Sequence, residues 1–308
     1  MQLLYAGTDI TDSVRILKAD IHDTAGGEAD SVDVLLSDTD KLWRAWAPVK
    51  GDVLEVKQAG FTSGAMFIYF IQGFRGKFVL KAKSIPLEAK TPRTRTWENI
   101  RFIGFVGDIA RNYGFEFDTY NIDNWLYDRL DQVEIPDLQF LAQRCNMEGY
   151  CLKVNNRKII VYKESALEAR PPVLSLSLNN LIGDYGFYTI SEGLFSSCLV
   201  RYLDNHGSLV NYQYTPANAP AGPVLKANIR AASQSEAQRY AQGLLRGKNK
   251  WETWGDIAIK LNTSIAAGNT LDMTGLQMFS GKYFVHSCTH QFLNDKTVLR
   301  IRKILEGY

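Results

Sequence analysis

Short runs that alternate apolar and polar residues, separated by glycine turns, recur along most of this 308-residue chain. Leu174-Ser175-Leu176-Ser177-Leu178 alternates strictly, and Gly51-Asp52-Val53-Leu54-Glu55-Val56 nearly so. Period two is the period of a strand, whose successive side chains point to opposite faces. Such a chain is confined to sheet folds. Several short strands at close spacing favour small barrels or sandwiches.

Residues 1–88 read as β almost throughout. Val14-Arg15-Ile16, Ser31 to Leu36, Val53 to Val56, Met66 to Gln72 and Lys77 to Ala82 are the expected strands. Gly26-Gly27, Ala59-Gly60, Gly73 and Gly76 supply the turns between them. Lys81 to Trp97 differs. It is rich in Lys, Arg, Thr and Pro, with Pro86 and Pro92 against long regular structure, so an extended arm is expected.

Residues 89–165 form an expected α+β insert. Ile100, Ile103, Val106, Ile109, Ala110 and Tyr113 share one helical face, which predicts a helix from about Glu98 to Tyr113 with Gly114 as its cap. Gly104 and Gly107 weaken it unless close packing requires them. A second helix starts at Pro136, carries Leu138, Leu141, Ala142 and Cys145 on one face, and closes at Gly149. A hairpin follows, Tyr150 to Val154 and Lys158 to Tyr162 about an Asn155-Asn156 turn. Lys163 to Pro172 reads as a linker.

Residues 166–308 return to β with one helix. Ser197 to Tyr202 and Val210 to Tyr214 flank a turn at Asp204-Asn205-His206-Gly207, and Pro216 to Pro223 is a loop. Ser233 and Glu236 make a capping box for a helix that carries Ala237, Tyr240, Ala241, Leu244 and Leu245 on one face and ends at Gly247. Trp251 to Leu261, Thr270 to Met273, Gly281 to Ser287 and Lys296 to Lys303 complete the set. The fold class expected is therefore mainly β: a first β-barrel domain (1–88), the α+β insert (89–165) and a second β-barrel domain with one helix (166–308). The two β modules make a coarse internal repeat without residue-level identity.

Composition narrows the function. With 35 basic and 33 acidic residues, the net charge of +2 argues against a general polyanion binder. No run reaches the ~20 apolar residues of a membrane helix. Met1-Gln2-Leu3-Leu4-Tyr5 leads to Gly7-Thr8-Asp9 without a basic start and apolar core, so no signal peptide is expected. Synthesis in the cytoplasm follows, with release by a route such as lysis. Cys145, Cys151, Cys198 and Cys288 are scattered without a C-x-x-C pair, as buried free thiols would be.

Three blocks, Lys50 to Val56, the set Lys83 to Leu87 with Gln132 to Leu141, and Gly268 to Met273 with Ser280 to Val285, together resemble the late control D family, the hub proteins of contractile phage tails and related injection machines. Lys50 to Val56 resembles the strand of the family's first barrel. Lys83-Ser84-Ile85-Pro86-Leu87, Arg95 to Asn99, Gln132 to Leu141 and Gly149-Tyr150 resemble its insert, with Ile135-Pro136 in place of the usual Glu-Ser. Gly268 to Met273, Ser280 to Val285, His286, Thr289-His290 and Thr297 to Ile301, behind the helix Ser233 to Arg246, resemble its C-terminal barrel. The resemblance implies a non-enzymatic homotrimer. Two barrels per chain would give a pseudo-hexameric ring that joins a six-fold tail tube to a three-fold spike. It also implies a tube or tube-initiator protein as partner, a separate spike polypeptide, and a tape-measure protein in the lumen. No specific nucleic-acid binding and no membrane insertion are expected. The particle would be a phage tail or a relative such as an R-type bacteriocin, with the VgrG spikes carrying a similar N-terminal hub.

Candidate chemistry is sparse, and no catalytic, cofactor or metal site is assigned. His286, Cys288 and His290 have metal-ligand character, and period two would put all three on one strand face, but no fourth ligand is near. Asp30/Asp33, Asp38/Asp40 and Glu134/Asp137 are acid pairs of the kind glycosidases use. G-x-S-x-G, H-E-x-x-H and G-x-x-x-x-G-K are absent. Lys81, Lys83, Lys90, Arg93 and Arg95 form a basic stretch suited to a protein contact. Trp43, Trp46, Trp125, Trp251 and Trp254 are candidate interface anchors or core residues. The rival expectation is a β-rich tail protein that binds or hydrolyses envelope glycans.

Overall fold

The structure, a computed structural model, describes residues 1–58, 60–203 and 207–308. The expected turn at 204–207 therefore lies, except for Gly207, outside the described residues, as does Ala59 of the Ala59-Gly60 turn. The first β module holds β1 (Gln2–Tyr5), β2 (Thr8–Asp9), β3 (Ile16–Thr24), β4 (Ser31–Ser37), helix α1 (Leu42–Trp46), β5 (Val53–Gln58), β6 (Phe61–Thr62), β7 (Met66–Phe74) and β8 (Lys77–Lys83). The insert follows with β9 (Pro92–Arg101), α2 (Phe102–Asn112), β10 (Glu116–Tyr120), β11 (Leu126–Pro136), α3 (Asp137–Met147), β12 (Tyr150–Asn155), β13 (Lys158–Lys163) and α4 (Glu164–Glu168). The last part holds β14 (Leu174–Leu176), β15 (Gly186–Thr189), β16 (Ser197–Leu203), β17 (Leu209–Tyr214), β18 (Val224–Ala227), α5 (Gln234–Asn249), β19 (Thr253–Lys260), β20 (Thr270–Met273), β21 (Gly281–Gln291) and β22 (Lys296–Lys303).

The chain is mainly β, but among the described residues it closes neither of the two expected barrels. One sheet of 14 strands runs β15-β19-β22-β21-β3-β4-β8-β7-β5-β1-β2, with β14, β20 and β6 attached beside it. The reason lies in β3. Residues Asp20 to Thr24, whose outer edge could have closed the first module, pair instead with Ser287 to Gln291 of β21. The two modules therefore share backbone hydrogen bonds across the middle of one sheet.

Three apolar cores lie against these layers. Leu3, Val32, Leu54, Ile68 and Leu80 centre the first, and Ile257, Leu271, Val285 and Leu299 the third. The insert core packs Phe102, Phe105, Leu141 and Val161 together with Val200, Tyr240 and Leu245, so α5 and the β17-β16-β18 sheet complete it.

Local corrections have clear causes. The first insert helix starts at Phe102, because Glu98, Ile100 and Arg101 continue β9 and pair with Arg129, Tyr127 and Leu126 of β11. The basic arm is likewise mostly strand, and Pro92 is tolerated as the first residue of β9. Gly247 does not end α5. Gly243 and Gly247, one turn apart, let the helix lie on the turn after α3. A Cβ at 243 would come 2.3 Å from the Met147 carbonyl oxygen, and one at 247 would come 2.8 Å from the Asn146 Oδ1. Ser233 caps α5 as its spacing predicts, accepting from the Glu236 N–H at 3.2 Å.

Candidate functional site

The sequence-predicted site residues do not converge. A bulge between Val285 and Ser287 breaks period two in β21. Cys288 joins the third core, with its Sγ 3.3 Å from His290 Nε2, and His290 Nδ1 meets Thr297 Oγ1 at 3.1 Å. His286 points elsewhere, its ring edge-on to Trp251 at 4.5 Å. Among the described residues no group of three or more His, Cys, Asp or Glu side chains is placed to hold a metal ion.

The acid pairs do not face one another as paired carboxylates, and Asp40 is exposed. Asp33 is bound by Lys81 at 3.0 Å, and Asp38 accepts from the Trp43 N–H at 3.1 Å. Buried Asp137 accepts from Gln132 at 2.8 Å and Asn112 at 3.0 Å, while Glu134 sits exposed on the bulge of β11. The basic stretch is spread out in the same way. Lys83 and Lys90 lie over the Tyr69 ring, Arg93 reaches Asp137 at 3.4 Å, and Arg95 covers Trp97 at 4.0 Å. Trp43 is buried between Tyr5, Trp46 and Phe78. Trp46 and Trp125 are exposed, with Arg239 over Trp125 at 4.2 Å, and Trp254 stacks on Tyr188 at 4.2 Å. All four thiols are free, and three of them are fully buried. Burial pushes Cys198 up to about 11 and Cys151 up to about 12.

What the sequence reading missed is a pair of buried ionic junctions between the parts of the chain. In the first, Lys153 of β12 reaches Asp30 at 2.9 Å, the Asp23 carboxylate, and the Thr24 carbonyl at 2.9 Å. Asn155 adds a bond to Asp30 at 3.0 Å, and the Ala267 N–H donates to Asp23 at 2.8 Å. First module, insert and last module thus meet on three side chains. Burial opposes the Lys153 ammonium, but Asp23 and Asp30 outweigh it and hold its pKa above the ordinary lysine value.

The second junction replaces the expected linker at 163–172. Residues 164–168 coil into α4, which buries Glu164 and Glu168. Glu164 meets Lys250 and Arg302 at 3.0 Å each; Glu168 meets Arg302 at 2.5 Å and also Arg246. Arg302 is fully buried and stacks on Phe284 at 4.5 Å. Burial would raise the Glu164 carboxyl, but Arg302 and Lys250 prevail and hold it well below the usual range. Beside it, burial together with Lys250 and Arg302 lowers His286 to about 4. The available signals were a lysine inside the apolar run Tyr150 to Val154, and two glutamates four apart, the spacing of one helix face.

The chemistry these junctions offer is cohesion. A buried pair costs desolvation, and its geometry specifies which elements meet. Two sheet edges are left open. The outer edge of β15 and that of Phe70 to Phe74 in β7 have no strand partner among the described residues. Exposed aromatic and apolar side chains cluster on both, Tyr185, Tyr188 and Ile190 on one and Phe70 and Phe74 on the other. No helix is long and apolar enough to cross a membrane among the described residues.

No family model matches the chain, and no curated protein does. Solved structures do. A tail protein from Neisseria meningitidis MC58 superposes with a TM-score of 0.77 at 12% identity, covering 98% of this chain and 95% of that one. The 43 kDa tail protein of prophage MuSo2 from Shewanella oneidensis gives 0.74 at 10% identity, covering 97% of both chains. An Escherichia coli component of the type VI secretion system, described as similar to T4 bacteriophage tail proteins, gives 0.66 at 12% identity over 100% of this chain and 78% of that one. At these identities the likeness is one of fold, and the fold is that of phage tail proteins.

Proposed function

We propose that this chain is a structural, non-enzymatic baseplate hub of a contractile tail or injection particle. In this reading three copies form a ring that adapts a six-fold tail tube to a three-fold spike. The carrying observation is the end-to-end likeness to two tail proteins, which leaves no unmatched part of this chain for a separate catalytic unit. The ionic junctions fit a body that bears load, since they tie the insert to both modules. The late control D resemblance in three sequence blocks supports the finer assignment. The partners would be further copies of the chain, a separate spike protein, a tube or tube-initiator protein, and a tape-measure protein in the lumen. The chain would be made in the bacterial cytoplasm and carried in the assembled tail.

Two similar modules per chain offer a physical route through the symmetry mismatch, because three chains then present six similar faces. Light scattering on the purified protein, alone and mixed with a spike protein of the same particle, tests this. Three copies per particle in either sample is the expected result. A monomer in both at micromolar concentration refutes it and favours the glycan-binding alternative.

A further inference from the structure

The surroundings of β21 recur at β7 with one strand missing among the described residues. β21 uses its first residues on β20 (Thr270↔Phe284) and its last on β3 (Gln291↔Asp20). β7 is arranged alike: its first residues pair with β5 (Leu54↔Met66), but its last find no second partner among the described residues. Both strands skip one residue at a bulge. Val285, Ser287 and Cys288 face Ile301, Arg300 and Leu299; Ile68, Phe70 and Ile71 face Ala82, Lys81 and Leu80. An ion pair then crosses to the next strand in each module, Lys81 to Asp33 at 3.0 Å and Arg300 to Asp256 at 2.8 Å. The next strand out puts Asp20 opposite Asp33, and Gly186 opposite Asp256. β15 thus stands in the last module where β3 stands in the first.

We infer that β15 of one copy adds antiparallel to residues 70–74 of β7 in the next copy. The internal pairs Ser287↔Thr24, Thr289↔His22 and Gln291↔Asp20 fix the register. They translate to Phe70 opposite Ile190, Gln72 opposite Tyr188, and Phe74 opposite Gly186. The inference rests on the self-association in the proposed function and goes beyond it by naming the two edges and their alignment. The chemistry favours the match. Each edge carries unpaired backbone donors and acceptors, which invite another strand. Phe70 at 38%, Phe74 at 40%, Tyr188 at 45% and Ile190 at 46% exposure would bury one another as cross-strand neighbours. The two edges differ, so the contact is head to tail, and such contacts build rings when the rotation closes.

Cysteine pairs in the full chain read the register directly, because a disulfide needs Cα atoms within about 7 Å. Q72C/Y188C should cross-link between copies on mild oxidation of the assembled protein. The off-register pair Q72C/F187C should not. Charge supplies a second readout. F70E or I190K alone should raise the concentration for half-assembly at least tenfold, and F70E/I190K together should recover most of it. An assembled oligomer that cross-links at neither pair, cross-links better off register, or assembles normally with I190K overturns the inference and leaves the hub reading standing. A protein that remains monomeric with and without the spike overturns both.

Discussion

Mild acid should loosen this protein through one imidazole. His286 lies on the bulge of β21 against Trp251, and burial with Lys250 and Arg302 lowers it from 6.5 to about 4, Glu164 opposing and Arg300 adding weakly. The folded state therefore prefers the neutral ring. Its contribution is complete above pH 6.5, where neither state is protonated, and is lost as the pH falls toward 4, because only the unfolded chain takes up the proton. Between pH 8 and pH 5 the loss is about 2 kcal/mol, or about 30-fold in the unfolding equilibrium. Glu164 is held well below this window by Arg302 and Lys250, and Asp30, whose carboxyl burial pushes up, is common to wild type and variant and cancels in the comparison. Urea titrations of wild type and His286→Gln, followed by tryptophan fluorescence at both pH values, isolate the effect. The wild type should lose about 2 kcal/mol more than the variant over that interval. Parallel losses in the two proteins would refute the account, because His290, also lowered by burial, is common to both.

The second junction holds three cations, Arg246, Lys250 and Arg302, against Glu164 and Glu168. Glu168→Gln leaves those cations on one carboxylate and should cost about 3–5 kcal/mol, while Arg302→Met leaves two against two and should cost less than about half as much; thermal melts at pH 7.5 rank them, and the reverse order would count against the charge balance. Gly243→Ala should destabilise by about 1–3 kcal/mol although alanine favours helices, because its Cβ would meet the Met147 carbonyl; a higher Tm than wild type would show that α5 can move away. The native thiols should react slowly with Ellman's reagent at pH 8, and all four only in urea, since burial raises Cys151 and Cys198; rapid stoichiometric labelling of the folded protein would contradict it.

Periodicity located most strands because it is a local property. Leu174 to Leu176 and Val53 to Val56 lie in strands where alternation predicts them. The capping box at Ser233 was legible for the same reason. Closure was not local. Whether Asp20 to Thr24 pairs within its own module or with residues 287–291 depends on partners 267 positions away, as the His22–Thr289 contact shows. Arg302 and Glu168 look like ordinary surface charges in sequence, and only the approach of α4, α5 and β22 makes them partners. His286, Cys288 and His290 failed as a cluster because one skipped residue turned His286 away from the other two.

The pairing of β3 with β21 also sets a timetable. A ribosome adding about 5–20 residues each second leaves roughly 15–50 s between the two strands. Throughout that interval Asp20 to Thr24 have only β4 beside them, and the partner that covers their other edge does not yet exist. Contacts so distant in sequence slow folding, since the loop must close before its bonds form. A nascent chain of this kind is thus an open template for any passing strand, and a ribosome stalled before residue 281 would release one that stays open.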